Sequence, residues 1–274
     1  MKLAVNYSPA AEQLVRERKI NIDIFKCPDF SRDLIDQAES VKPNYIHFGL
    51  NAGRGQMDKV DWNTINELRS RTNTPYVNVH AVAFTKDYPD VDVFTKKPED
   101  TERIVKAVVH DINMVAEQVG MENIILENVI CRGEGENMLQ PIIDPAALTE
   151  IVNQTGCGFL LDTAHARMTS MLLGLDVRKY ISSLPLESIK ELHITGIQAD
   201  EKGRLRDSMP MTSEDWDIAA WVVQQIKDGT IPKPWVTALE YGGVGPKFEW
   251  RTDKEVLAEQ VPMLSDLIAE EAQN

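Results

Sequence analysis

Six apolar runs of the chain carry or lead into side chains of metal-ligating type: His47, His80, Glu127, Asp162 followed by His165, His193, and Glu240. Four of the five histidines are in that set. Any one of them alone reads as a satisfied polar residue at a strand end. Together in one cavity, such groups would each cost roughly several kcal/mol in desolvation and repulsion unless a cation neutralised them. An oxygen-and-nitrogen donor set suits Zn²⁺, Mn²⁺, Fe²⁺ or Co²⁺ and disfavours Cu(I) or an iron–sulfur cluster. Because seven candidates exceed the tetrahedral set of a closed structural site, the expectation is one or two divalent ions per chain, with Glu127 as the bridging candidate. In "GFLLDTAHAR" (Gly158 to Arg167), Asp162 would serve one ion and His165 its neighbour.

Such convergence requires elements that bring many strand ends to one place. Eight short apolar runs rich in β-branched residues supply them: Leu3 to Tyr7, Asn21 to Cys27, Tyr45 to Leu50, Tyr76 to Phe84, Asn123 to Val129, Cys157 to Thr163, Lys190 to Gly196 and Trp235 to Gly242. Between them run helical patterns. Pro98 to Val119 places Ile104, Val105, Val108, Ile112 and Val115 on one face, and Asp144-Pro145 reads as an N-cap with proline at the first helical position. Ser213 with Asp215 opens a helix through Ile226, and Thr252 with Glu255 reads as a capping box for a last helix reaching about Glu271. Strands alternating with helices over residues 1–274 predict an α/β fold, a single (β/α)8 TIM barrel with reactive groups at the C-terminal strand ends. An open doubly wound sheet would carry a glycine-rich phosphate turn after its first strand, where this chain has "NYSPAAEQ".

A formal net charge of −14 argues against nucleic acid as a partner, because the field repels polyanions. No stretch approaches the ~20 apolar residues of a membrane span, and no signal-peptide pattern opens the chain, so a cytoplasmic location is expected. Cys27, Cys131 and Cys157 are widely spaced and read as packed, reduced thiols. His110 reads as a surface or helix-packing residue, and Met168, Met171, Leu172 and Leu173 as a core stripe. Turn geometry accounts for the glycines of "NAGRGQMDK" and "YGGVGPKF"; the alternative is a lid or phosphate cradle with Arg54 or Lys247 as counter-charge.

In strand order and ligand types the chain resembles the xylose isomerase-like TIM-barrel superfamily, which holds metal-dependent sugar isomerases and epimerases and endonuclease IV. The resemblance to the isomerases and epimerases implies one ion held by Glu127, Asp162, His193 and Glu240. The endonuclease IV pattern adds His47, His80 and the Asp162-x-x-His165 pair. Its later Asp-x-His appears as Asp207-Ser208-Met209, which keeps Asp207 as a candidate ligand but replaces the histidine by a thioether, a poor donor for such ions. "IILENV", "TGCGFLLDTAHA", "YISSLPLESIKELHITG" and "DSMPMTSEDW" are similar to the bacterial multinuclear non-haem iron enzymes that oxidatively modify cysteine-containing precursor peptides, as in methanobactin biosynthesis. That family usually has Asn in the strand-six motif where this chain has Ala164 and His165.

Three chemistries compete. An iron-dependent oxidative enzyme would act on a peptide, with a partner protein to deliver the precursor. A sugar isomerase or epimerase would use Glu127 and Glu240 as proton-exchanging bases, with His165, Asn128 and Arg167 orienting a small-molecule substrate. A metal-dependent phosphodiesterase shares the ligands but lacks a basic surface, and a metal serving stability alone would not need so many ligands.

Overall fold

A computed structural model describes residues 1–130, 138–246 and 248–269. Cys131, Lys247 and Glu271 lie outside the described residues. The barrel strands are β1 (Lys2–Asn6), β2 (Ile24–Pro28), β3 (Asn44–His47), β4 (Leu50–Ala52), β5 (Val77–Ala81), β6 (Ile124–Glu127), β7 (Gly158–Asp162), β8 (Ile189–Ile194) and β11 (Val236–Leu239). They form one parallel sheet in the order β3-β2-β1-β11-β8-β7-β6-β5-β4. Its two edge strands are separated in sequence only by Phe48 and Gly49, so the sheet curls until its edges meet at the third expected run, which holds most of β3 and ends at Leu50, the first residue of β4.

That break is where sequence and structure differ. Gly49 turns the chain at φ +58°, and the backbone groups freed there find side chains instead of a ladder. Ile46 N–H donates to Thr74 Oγ1 at 2.9 Å, and Phe48 and Gly49 N–H donate to Asn78 Oδ1 at 2.7 and 3.3 Å. A hairpin of β9 (Gly196–Ala199) and β10 (Leu205–Met209) is also present above the barrel strands, where the sequence suggested no strands.

Period-two alternation then sorts the side chains. Val5, Phe25, Cys27, Ile46, Val79, Leu126, Leu161 and Ile194 belong to the large core shared with the helices. Ala4, Ile24, Tyr45, Val236 and Ala238 form a smaller apolar cluster of the opposite parity. On that second parity, further along the strands, come Lys26, His47, Asn78, His80, Glu127, Asp162, Glu191 and His193.

Helices α1 (Pro9–Arg16), α2 (Arg32–Glu39), α3 (Trp62–Thr72), α4 (Pro98–Val119), α5 (Pro145–Thr155), α6 (Thr163–Leu173), α7 (Val177–Ser182), α8 (Ser213–Lys227) and α9 (Lys254–Ile268) follow the strands. α4 buries the expected Ile104, Val105, Val108, Ile112 and Val115 face, and His110 is exposed on its other side. Two caps differ from expectation. α8 starts from Thr212, whose hydroxyl and Asp215 form the capping box, with Ser213 one residue inside. α9 is capped by Asp253, which accepts from Glu255 and Val256 N–H at 2.7 and 3.3 Å. Thr252 is occupied elsewhere, its hydroxyl accepting from Gly243 N–H at 2.8 Å.

Of the apolar stripe on α6, Met168 is buried and Leu173 packs half-buried against the core, whereas Met171 is 56% exposed and Leu172 lies at the surface. The loop after β4 supports the turn reading of its glycines. Gly53, Arg54 and Gly55 N–H all donate to Asp111 Oδ2 at 2.7 to 2.9 Å, so α4 fills the backbone cradle with its own carboxylate. Arg54 is held by Asp87 at 3.0 Å. No helix among the described residues is long and apolar enough to cross a membrane.

Candidate metal centre

Strand register brings the expected residues level. His80 pairs across to Glu127, and Asp162 to His193. Glu127 lies in the middle with its two oxygens facing different neighbours. Oε2 is 3.2 Å from His80 Nε2 and 3.7 Å from His47 Nε2, while Oε1 is 3.6 Å from His165 Nδ1. Among the described residues, His47–His80–Glu127, Glu127–Asp162–His193 and His47–Glu191–His193 each place ligand atoms within 4.8 Å of one another.

Asp162 shows how the local fold builds the site. It ends β7 and caps α6, its Oδ1 accepting from His165 N–H at 2.8 Å. The D-x-x-H spacing is thus an N-cap spacing as well as a ligand spacing. Oδ2 is left over, fully buried and without a hydrogen-bond partner. His193 is its counterpart: Nε2 lies 2.8 Å from Glu191 Oε1, and that carboxylate fixes the tautomer with the proton on Nε2. Nδ1 is the ring nitrogen that faces the centre, buried, 3.9 Å from Asp162 Oδ2 and 3.2 Å from Glu240 Oε2, and it would offer a lone pair once a cation displaces its proton. A buried carboxylate oxygen and a buried imidazole nitrogen left open together fit a cation.

The charges agree with that arrangement. Burial pushes the Asp162 carboxyl up to about 7, with Glu240 and Glu127 adding to the shift and His165 opposing it. Burial also acts on Glu127, but the surrounding imidazoles of His80, His47 and His193 outweigh it and hold this carboxyl well below the usual range. His193 is driven to about 10: burial and Lys26 act downward, and Glu240 and Glu191 outweigh them. His47 goes the other way, lowered by burial and by Lys26.

The other candidates have further partners of their own. His165 Nδ1 lies 2.8 Å from the Asn128 carbonyl, and its Nε2 faces Asp207 Oδ2 at 3.3 Å. Asn128 is buried and bonded to the Asp162 backbone rather than open to a ligand. Arg167 is paired with Glu214 and Asp215 at the start of α8. Glu240, just past β11, is bound by Lys26.

Lys26, Asn78 and Glu191 escaped the sequence reading. Asn78, its Oδ1 held by two backbone N–H groups, turns Nδ2 toward His47 Nε2 at 3.0 Å and Glu127 Oε2 at 3.5 Å. Lys26 sits on the inward parity of a strand otherwise read as apolar. Asn78 and Glu191 lie two residues before His80 and His193, so alternation alone pointed to both.

Beside the centre a pocket is lined by Tyr7, Pro28, Phe30, Val244 and Phe248, with His47, Lys26 and Glu240 also in its wall. Residues 32–248 match the family described as RiPP precursor modification enzyme MbnB/TglH/ChrH. The chain belongs to this family. Among curated relatives, a UPF0276 protein of Bordetella parapertussis is 33% identical over 111 residues, covering 35% of this chain and 38% of that one. Another from Caulobacter is 38% identical over 106 residues, covering 37% and 36%. The matched stretch therefore spans little more than a third of those relatives' length.

Solved structures share the fold across almost the whole chain. D-psicose 3-epimerase from Clostridium cellulolyticum is 17% identical with a TM-score of 0.54, covering 98% of each chain. A family 2 AP endonuclease from Brucella melitensis is 12% identical with a TM-score of 0.59, covering 95% and 98%. These neighbours bear out the xylose isomerase-like barrel; at such identities they speak to architecture alone.

Proposed function

We propose that this chain is a metal-dependent enzyme that modifies a peptide at the mouth of its barrel. The observation that carries this reading is the pair of buried, unpartnered atoms, Asp162 Oδ2 and His193 Nδ1, facing one another beside Glu127. His47, His80, Glu127, Asp162 and His193 would hold one or two divalent ions, with iron, zinc and manganese all compatible with the donors. When bound, such an ion supplies an open coordination position for redox or Lewis-acid chemistry.

The chain's own groups do the rest. Glu191 holds the Nε2 proton of His193, and Asn78 fixes His47 relative to Glu127. Glu127, with its two oxygens facing different neighbours, would serve as a ligand on both sides of the centre. His165, with Nδ1 against the Asn128 carbonyl and Nε2 facing Asp207, would orient a substrate group at the edge of the centre. The apolar pocket wall suits an amino-acid side chain next to the reacting group better than a polyol, whose hydroxyls need polar partners.

Epimerisation of a small sugar is the second reading. It places Glu127, Asp162, His193 and Glu240 in the order expected of that chemistry. Its weakness is Glu240. Burial raises that carboxyl, but Lys26 and His193 outweigh burial and hold it well below the usual range, which makes a poor base.

The deciding experiment loads the purified chain with Fe²⁺ without oxygen, then adds air and a panel of cysteine-containing peptides, reading masses. A parallel Mn²⁺-loaded sample receives D-fructose and D-psicose. A peptide mass change that requires iron and oxygen supports the first reading. Interconversion of the sugars with inert peptides replaces it with the second.

A further inference from the structure

We propose that Lys26 is an internal cation that keeps Glu240 out of metal coordination and confines divalent metal to His47, His80, Glu127, Asp162 and His193. The inference rests on the metal-centre reading above and adds a limit to it. Lys26 is 4% exposed, and its ammonium contacts Glu240 Oε1. A buried ammonium is retained only where a partner neutralises it, and here the partner is the acid that would otherwise complete the ligand row.

Two consequences follow from the geometry. One oxygen of Glu240 is taken up by Lys26, and the other lies 3.2 Å from His193 Nδ1, the atom facing the centre. An ion brought onto Glu240 would therefore stand close to a fixed positive charge and be repelled by it. Among the described residues, none of the three groups whose ligand atoms lie mutually within 4.8 Å includes Glu240.

The hairpin after β8 is arranged alike. Asp207 is also in none of those groups, and its Oδ1 lies 3.6 Å from Arg251 Nη1, which donates to the Asp207 carbonyl as well. A β-bulge between Arg206 and Met209 presents this residue, and the position where a ligating histidine would complete a site is Met209. Glu240 and Asp207 are thus balanced by the chain's own cations, and Glu127 and Asp162 are the carboxylates left for metal.

The test is Co²⁺ titration of the full chain by calorimetry, with bound cobalt counted after desalting, for the wild type, Lys26→Met, Glu240→Gln and the double variant. Glu240→Gln is expected to leave cobalt count and affinity unchanged. Lys26→Met is expected to bind an additional ion, and the double variant to lose that gain. A lower cobalt count in Glu240→Gln, or a fall in affinity well beyond the roughly 10- to 100-fold cost of losing a residue that only orients a ligand, would mean that metal uses this acid, overturning the proposal. So would a folded Lys26→Met that gains no ion. If Lys26→Met does not fold, Glu240→Gln alone decides. A folded wild type that takes up no cobalt, iron or manganese would overturn the metal centre itself, and the proposal with it, which is distinct from one that binds metal through Glu240.

Discussion

Asn128 and Asp162 clasp each other across adjacent strand ends: Asn128 Nδ2 donates to the Asp162 carbonyl at 3.0 Å, and Asp162 N–H donates to Asn128 Oδ1 at 2.8 Å. Both residues are fully buried. The clasp sets the backbone from which Asp162 caps α6 and aims Oδ2 inward. Asn128→Ala should cost roughly 2–4 kcal/mol, since two bonds are lost and two buried backbone groups are left unpaired. Urea denaturation measures that cost. A loss under about 1 kcal/mol, within the range of a single replaceable bond, would show that the clasp does not position β7.

Glu191 accepts from both His193 Nε2 at 2.8 Å and Tyr45 OH at 2.7 Å. Removing it frees the imidazole to rotate and to change tautomer. Glu191→Ala should weaken Co²⁺ binding by about 10- to 100-fold. Tyr45→Phe should weaken it less, because the carboxylate keeps its bond to the imidazole. Equal affinities in the wild type and Glu191→Ala would remove His193 Nδ1 from the ligand set.

Much of this centre is legible in the sequence because a parallel barrel converts chain order into angular order. Once eight apolar runs are recognised, the residue ending each run must face the same mouth, and His47, His80, Glu127, Asp162 and His193 all do. The supporting residues were hidden for a different reason. Lys26, Asn78 and Glu191 lie inside strands, where a polar residue has no meaning until the inward parity is fixed. Arg167 illustrates the converse: sequence proximity to Asp162 suggested a substrate contact, but one helical turn carries its guanidinium to the start of α8. The broken third strand was equally unreadable, since Gly49 stops the ladder only because Thr74 and Asn78 stand ready to take its freed N–H groups.

The Asp111 carboxylate gathers three backbone N–H groups of the loop after β4. Gly53 there has φ +111°, and a Cβ would meet the Val82 carbonyl oxygen at 2.1 Å. Loop and helix are therefore mutually required. Asp111→Ala should destabilise the fold by about 3 kcal/mol or more, as charge-assisted bonds to buried donors vanish together, and Asp111→Asn by less because one acceptor remains. Thermal and urea unfolding of both variants checks the ranking. Asp111→Asn as damaging as Asp111→Ala would place the effect in charge rather than in the acceptor.

With Asp162 and His193 as the proposed ligands, proton and metal would compete for the same atoms, which gives the centre a signed pH dependence. In the metal-free chain Asp162 titrates at about 7 and His193 at about 10, both above their ordinary values of 3.8 and 6.5. The folded chain thus binds more protons at these two groups than the unfolded chain does. Stability from His193 is present below its unfolded value and is lost as pH rises toward 10. The raised Asp162 acts in the same direction, its penalty growing as pH rises from the unfolded carboxylate value to about 7. Glu127 and Glu240, both depressed, contribute stability above the ordinary carboxylate value of 4.5 and lose it only in acid, outside this window. The metal-free melting temperature should therefore fall between about pH 6 and about pH 8, where a divalent ion displaces these protons and its stabilisation grows. Calorimetric Co²⁺ titrations in two buffers of different ionisation enthalpy should show proton release that shrinks toward the alkaline end. Affinity that is flat across this window, with no proton released, would mean that neither Asp162 nor His193 is a ligand.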